Sequence, residues 1–85
     1  MAASYQQIES WVEEAKAEGA RWLIVACDSY DYEDYPIAIR ADEDFWKRFE
    51  EYNGVNMQRV MEVYDLEGEL MAQLDEERAF HVPPR

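Results

Sequence analysis

The sequence predicts one α+β domain of two layers, in which a three-stranded antiparallel sheet of strand order 2-1-3 packs against two or three helices. Its 85 residues leave room for a single hydrophobic core. Its apolar residues, 48% of the chain, recur with helical spacing in some segments and with strand alternation in others. We therefore expect residues 1–85 to form one domain that ends in a short, loose C-terminal tail at residues 79–85.

The first element is an amphipathic helix, predicted over residues 4–18. Ser4 followed three residues later by Gln7 has the form of a capping box. Apolar residues follow at positions i, i+3, i+4 and i+7, namely Ile8, Trp11, Val12 and Ala15. Gly19 marks the end of this helix.

Two strands follow as a hairpin. In residues 21–27, the side chains that would point to either face of a strand are apolar from Trp22 onward. This predicts a central strand that is covered on both faces or flanked on both sides within a sheet. Residues 35–40 alternate, with Ile37 and Ile39 inward, and Pro36 places this strand at an edge. The connection, residues 28–34, is too long for a two-residue turn.

The second half of the chain predicts helix, strand and helix. Three acids precede a helix that ends near Gly54, and negative charge is favourable at a helix N-terminus. Residues 57–66 fit both a strand and a helix, and their β-branched residues favour the strand. Residues 67–78 predict a last short helix. If the second helix carries the chain across the first strand, all neighbouring strands are antiparallel.

Large aromatic residues and one cysteine complete the predicted interior. The expected aromatic core residues are Trp11, Trp22, Phe45, Trp46 and Phe49. Cys27 ends an apolar run, which indicates a small buried residue rather than a nucleophile. A single cysteine permits no internal disulfide, and the first residues lack the pattern of a secretory signal. We therefore expect a cytoplasmic protein.

The charge is strongly negative. Twenty acidic and eight basic residues give a net charge of −12, which disfavours direct binding to nucleic acid. The acids are densest between residues 28 and 44, where they alternate with tyrosines. This pattern predicts a partner-binding surface for a basic groove on another protein. Its residues are Asp28, Tyr30, Asp31, Tyr32, Glu33, Asp34 and Tyr35, extended by Asp42, Glu43 and Asp44.

Other functions find less support in the sequence. The carboxylates of residues 28–34 could hold a hard cation, although their spacing differs from that of a calcium-binding EF-hand loop. A second acidic set, Asp65, Glu67, Glu69 and Glu76, fits EF-hand spacing, but Leu70 stands where that loop needs glycine. We assign no catalytic residue, metal site or cofactor. A homodimer joined by exposed aromatics, such as Tyr52, Tyr64 or Phe80, is the other alternative.

Three segments carry a resemblance to a class of known proteins. They are YDYEDYP at residues 30–36, NMQRVMEVYDL at 56–66 and ERAFH at 77–81. In these segments the chain resembles small acidic proteins encoded by bacteriophages, a group that includes anti-CRISPR and other anti-defence inhibitors. The resemblance implies a non-enzymatic inhibitor that works by binding a protein or nucleoprotein complex in the host cytoplasm. It assigns no residue a role.

Overall fold

A computed structural model describes residues 4–84, which form three helices and three strands. In chain order they are α1 (Tyr5–Ala17), β1 (Ala20–Asp28), β2 (Glu33–Arg40), α2 (Phe45–Tyr52), β3 (Gln58–Asp65) and α3 (Leu70–Leu74). The predicted α+β class and order of elements are confirmed. The ambiguous segment at residues 57–66 is a strand, as its β-branched residues favour.

The sheet has the order β2-β1-β3, and both neighbouring pairs are antiparallel. This confirms the predicted topology. Ile24 at the centre of β1 lies opposite Ile37 of β2 and Val63 of β3. Because β2 and β3 flank it, β1 has no free edge and forms the middle of the core.

The helices cover opposite faces of the sheet. Leu23 and Val25 of β1 pack in one apolar cluster with Ile8 and Val12 of α1. The alternate residues of β1 pack in a second cluster with Phe45 and Phe49 of α2. The domain therefore has three layers rather than the predicted two. The reason lies in β1. Because its side chains are apolar on both faces of the sheet, each face needs a helix to cover it.

Helix α1 begins and ends as its sequence indicates. Ser4 Oγ accepts a hydrogen bond from the Gln7 backbone N–H at 3.1 Å, which satisfies one of the free donors of the first turn. At the other end Gly19 has a φ of +82°, a conformation that glycine adopts at little cost. The chain then enters β1 at Ala20, and α1 packs against β1.

Helix α3 is shorter than predicted and is held by one buried polar side chain. Gln73 Oε1 accepts a hydrogen bond from the Asp65 N–H at 2.8 Å, and its Nε2 donates to the Asp65 carbonyl oxygen at 2.9 Å. The Gln73 side chain is thus paired with the backbone at the end of β3. This satisfies polar groups that would be costly to bury alone.

Part of the C-terminal tail is docked rather than loose. The Val63 N–H donates to the Ala79 carbonyl oxygen at 2.9 Å, and the His81 N–H donates to the Val63 carbonyl oxygen at 3.0 Å. Ala79 is fully buried, and the Phe80 ring packs edge-on against Phe49, with centroids 5.9 Å apart. These bonds cover part of the outer edge of β3, which explains why the segment is fixed.

The predicted core is confirmed for Phe45 and Phe49, which are buried. The three tryptophans are only half-buried and pack at the margins of the two apolar clusters. Cys27 is also half-buried, because it lies near the end of β1 rather than at its centre. Large rings at the margin of a small core still remove apolar surface from water.

Candidate partner-binding surface

The residues predicted to form one acidic surface lie at opposite ends of β2. One group, residues 28–35, forms the β1–β2 turn and the adjoining strand ends, and we call it the turn end. The other, Asp42 to Asp44, follows β2 and leads into α2, and we call it the α2 end. Strand β2 is eight residues long, which is about 23 Å at the rise of an extended strand, so the tip of the turn and the α2 end lie about one strand length apart. The sequence prediction thus joins groups that the fold separates.

At the turn end the strands extend further than predicted, and a tight turn connects them. Asp28 and Glu33 are paired across the hairpin. Asp28 Oδ1 accepts a hydrogen bond from the Tyr30 N–H at 2.8 Å, and Asp31 Oδ1 accepts one from the Glu33 N–H at 3.2 Å. Two of the predicted binding carboxylates therefore also order the turn, as short acidic side chains often do.

The turn exposes two aromatic side chains among these acids. Tyr30 is 79% exposed and Tyr32 is 66% exposed, and both Asp31 and Glu33 are exposed. Within residues 4–84, none of the ion pairs formed involves Asp28, Asp31 or Glu33. Their negative charge therefore has no close basic partner in the described part of the chain.

Tyr35 and Asp34 differ from the tip of the turn. The Tyr35 hydroxyl donates to Gln58 Oε1, and its ring packs edge-on against Tyr52, with centroids 6.5 Å apart. Burial raises the pKa of Tyr35, and the nearby Asp28, Tyr52 and Cys27 raise it further. Asp34 is half-buried beside Cys27. These two residues are therefore less available to a partner than Tyr30 and Tyr32.

The acids of the α2 end are engaged in the fold. Glu43 accepts a hydrogen bond from the Arg40 N–H at 2.8 Å and forms an ion pair with Arg48. The Arg40 bond, together with the nearby Arg48 guanidinium, lowers the pKa of Glu43 although burial opposes this. Asp44 Oδ1 accepts a hydrogen bond from the Lys47 N–H at 3.3 Å and caps α2. Asp42 is exposed and lies 3.7 Å from Arg40.

A contact between α1 and α3 lies on the α1 side of the sheet, and the sequence analysis did not predict it. Leu70 and Leu74 of α3 pack against the same apolar cluster as α1. The Tyr5 hydroxyl donates to Met71 Sδ at 3.1 Å, which joins the two helices. Local desolvation and the carboxylates of Glu9 and Asp75 raise the pKa of Tyr5. The amphipathic pattern of residues 67–78 could have indicated that α3 packs on the sheet, but not that it contacts α1.

The loop between α2 and β3 also contacts the turn end, which no sequence motif indicates. Ser29 donates two hydrogen bonds to the Met57 carbonyl oxygen, from its N–H at 2.7 Å and from its Oγ at 2.6 Å. Met57 is 57% exposed and Val55 is also exposed. The turn end is therefore joined to a second loop, the one between α2 and β3.

Several residues of the second acidic set, and Cys27, make other interactions in the fold. Among residues 4–84, no three histidine, cysteine, aspartate or glutamate side chains are arranged to hold a metal ion. In the second acidic set, Asp65 and Glu67 instead pair with Arg21, and Glu76 lies 2.9 Å from His81. Burial and a hydrogen bond with Asp34 raise the pKa of the Cys27 thiol, which disfavours the reactive thiolate.

The aromatic residues expected at a dimer interface are mostly unavailable. Tyr64 is buried, and its hydroxyl donates to Glu62 Oε2 at 3.1 Å. Tyr52 is half-buried, and only Phe80 is exposed. The expectation that Tyr64 is exposed is therefore wrong, because Tyr64 belongs to the α1 side of the core.

Comparison of the chain with protein-family models, curated proteins and solved structures finds no match. The resemblance to bacteriophage proteins therefore stays a prediction. Across residues 4–84, no helix has both the length and the apolar character needed to cross a membrane.

Proposed function

We propose that this chain is a non-enzymatic acidic binding protein that docks on a basic, nucleic-acid-binding surface of a host protein or defence complex and blocks it. One observation carries the proposal. At the turn end, Tyr30 and Tyr32 are strongly exposed beside Asp31 and Glu33, which form no ion pair within residues 4–84. Tyrosine supplies apolar contact area with a polar tip, and uncompensated carboxylates complement lysine and arginine.

The charge of the whole chain supports the same function. A net charge of −12 produces a long-range field that speeds the encounter with a basic partner. Twenty acids on a surface of 5492 Å² average one per roughly 275 Å², whereas duplex DNA shows one charge per roughly 110 Å². An even distribution would not resemble DNA. The proposal therefore depends on local concentrations of acid, of which the turn end is one.

Capture of proteins from a bacterial host lysate tests the proposal. The test variant carries Asp31→Asn, Glu33→Gln and Asp34→Asn. The matched control, Asp42→Asn, Glu50→Gln and Glu51→Gln, removes the same charge near α2. We expect the unmodified chain and the control to capture the same proteins, and we expect duplex DNA to displace them. The turn variant should lose them. Equal loss by both variants, or capture that DNA does not displace, would contradict the proposal.

The association rate gives a second measurement on any captured partner. Steering by charge predicts that the rate falls by about tenfold between 50 and 300 mM salt, because screening shortens the range of the field. The turn variant should show a smaller salt dependence than the control. A rate that is independent of salt would reject electrostatic docking.

A further inference from the structure

The turn end and the adjoining α2–β3 loop together hold most of the exposed large apolar side chains of the described chain. Seven such side chains are exposed within residues 4–84, and four of them lie in the two loops at this end. They are Tyr30, Tyr32, Val55 and Met57. A patch of exposed apolar groups bordered by polar residues is typical of a surface that binds another protein.

A cleft lies between these two loops. Its volume is about 470 Å³, and its walls include Cys27, Tyr32, Met57 and Arg59. The two hydrogen bonds from Ser29 to the Met57 carbonyl oxygen fix one loop to the other. A bond of 2.8 Å from the Gly54 N–H to the Gln58 carbonyl oxygen closes the second loop on itself. The cleft is therefore formed in the free chain and is large enough for an aliphatic side chain.

The backbone around the cleft is strained. Tyr32, Asn56 and Met57 have φ values of +59°, +53° and +64°, and they are the non-glycine residues of residues 4–84 with positive φ. This left-handed conformation is unfavourable for bulky residues such as tyrosine and methionine. Such strain persists where the surrounding structure enforces it, and it concentrates at binding sites. Here it accompanies the exposure of Tyr32 and Met57 on either side of the cleft.

Charge indicates the kind of partner that fits. Asp28, Asp31 and Glu33 are the chain neighbours of the wall residues Cys27, Ser29 and Tyr32, and Arg59 is the one basic residue of the cleft wall within the described chain. The surroundings are thus net negative, as is the whole chain. A segment whose lysines or arginines flank one aliphatic side chain complements both the charge of the hairpin and the exposed Tyr32 and Met57 side chains.

We propose that the two loops form a docking site for a basic segment of the partner protein, with one aliphatic side chain of that segment held between Tyr32 and Met57. This inference rests on the proposed function and names its contact site. The acids raise the association rate, and the apolar contact slows dissociation.

Two labelled peptides test this site by fluorescence anisotropy. One is KKRKKLKKRKK and the other has glycine in place of its central leucine. We expect the leucine peptide to bind about fivefold more tightly to the unmodified chain, the gain from partly burying one leucine. Met57→Ala should remove that preference. Met71→Ala changes a similarly exposed methionine on α3 and should retain it.

The outcomes separate the two proposals. If both peptides bind equally, and both weaken with the turn variant Asp31→Asn, Glu33→Gln, Asp34→Asn, the docking site is wrong and the proposed function survives. If the leucine preference holds but the turn variant binds both peptides as tightly as the unmodified chain, the charge-based function is wrong. Loss of the preference in Met71→Ala would place the contact elsewhere. Binding of neither peptide would contradict both proposals.

Discussion

The two ends of β2 carry similar runs of acidic residues, and the fold treats them differently. Carboxylates at both ends accept backbone hydrogen bonds, as Asp28 does in the turn and Asp44 does at the start of α2. Within residues 4–84, Arg40 and Arg48 pair with Asp42 and Glu43 at the α2 end, whereas no ion pair involves Asp28, Asp31 or Glu33 at the turn end. This contrast shows that the accessibility of a negative charge to a partner depends more on where the basic residues lie in space than on the number of acids in a segment.

The largest expected effect concerns Glu43. Glu43→Ala removes the carboxylate that accepts the Arg40 N–H and pairs with the Arg48 guanidinium, and we expect the free energy of unfolding to fall by about 1–2 kcal/mol. The corresponding change at the turn end, Glu33→Ala, should alter it by less than about 0.5 kcal/mol. Urea unfolding measures both. Equal losses would remove the distinction between the two ends.

The capping residue gives the next effect. Asp44→Ala removes the side chain that accepts the Lys47 N–H, and loss of such a cap costs about 1 kcal/mol. Its neighbour Asp42 is a matched control, because it is exposed and lies 3.7 Å from Arg40. An exposed pair of this kind contributes little, so Asp42→Ala should leave the unfolding free energy nearly unchanged. A larger loss for Asp42→Ala would show that capping is not the reason.

Strain at the turn end gives a smaller effect of opposite sign. Tyr32→Gly relieves a left-handed backbone and should raise the unfolding free energy by about 0.5 kcal/mol, the net of relieved strain and added chain entropy. Tyr30 lies outside the left-handed region, so Tyr30→Gly should lower the unfolding free energy. Thermal unfolding distinguishes them by the direction of the Tm shift. A Tm that falls for both variants would mean that the turn is not strained.

Much of the fold could be predicted because its signals are local periodicities. The spacing of Ile8, Trp11 and Val12 predicts α1, and the apolar residues of β1 predict its central place. The number of layers could not be read from the elements alone, because it depends on which face each helix covers. The packing of Ala79 against β3 could not be predicted either, because a single small apolar residue in this segment forms no periodic pattern.

The candidate surface was only partly predictable. The exposure of Tyr30 and Tyr32 follows from their place in a polar connection between strands. The separation of the α2 end follows from the length of β2, which the sequence defines only approximately. The contribution of Met57 could not be predicted, because its exposure depends on a left-handed backbone and on the Ser29 bonds across 28 positions of sequence.

The pH dependence of stability gives the smallest expected effect. It shows whether Glu43 stabilises the fold through its negative charge or through its hydrogen bonds alone. Its pKa is lowered in the folded chain from an ordinary value of 4.5, so its ionised form stabilises the fold. That stabilisation is complete above the ordinary pKa and is lost as the pH falls through the lower folded-state value. The unfolding free energies of the unmodified chain and Glu43→Gln should therefore differ at pH 7 and converge as the pH falls through the folded-state pKa of Glu43, while Glu33→Gln, measured alongside, controls for the loss of one negative charge. A difference that does not shrink as the pH falls below 4.5 would mean that Glu43 acts through hydrogen bonds that glutamine cannot reproduce, and the contrast between the two ends would then lie in geometry rather than in compensation of charge.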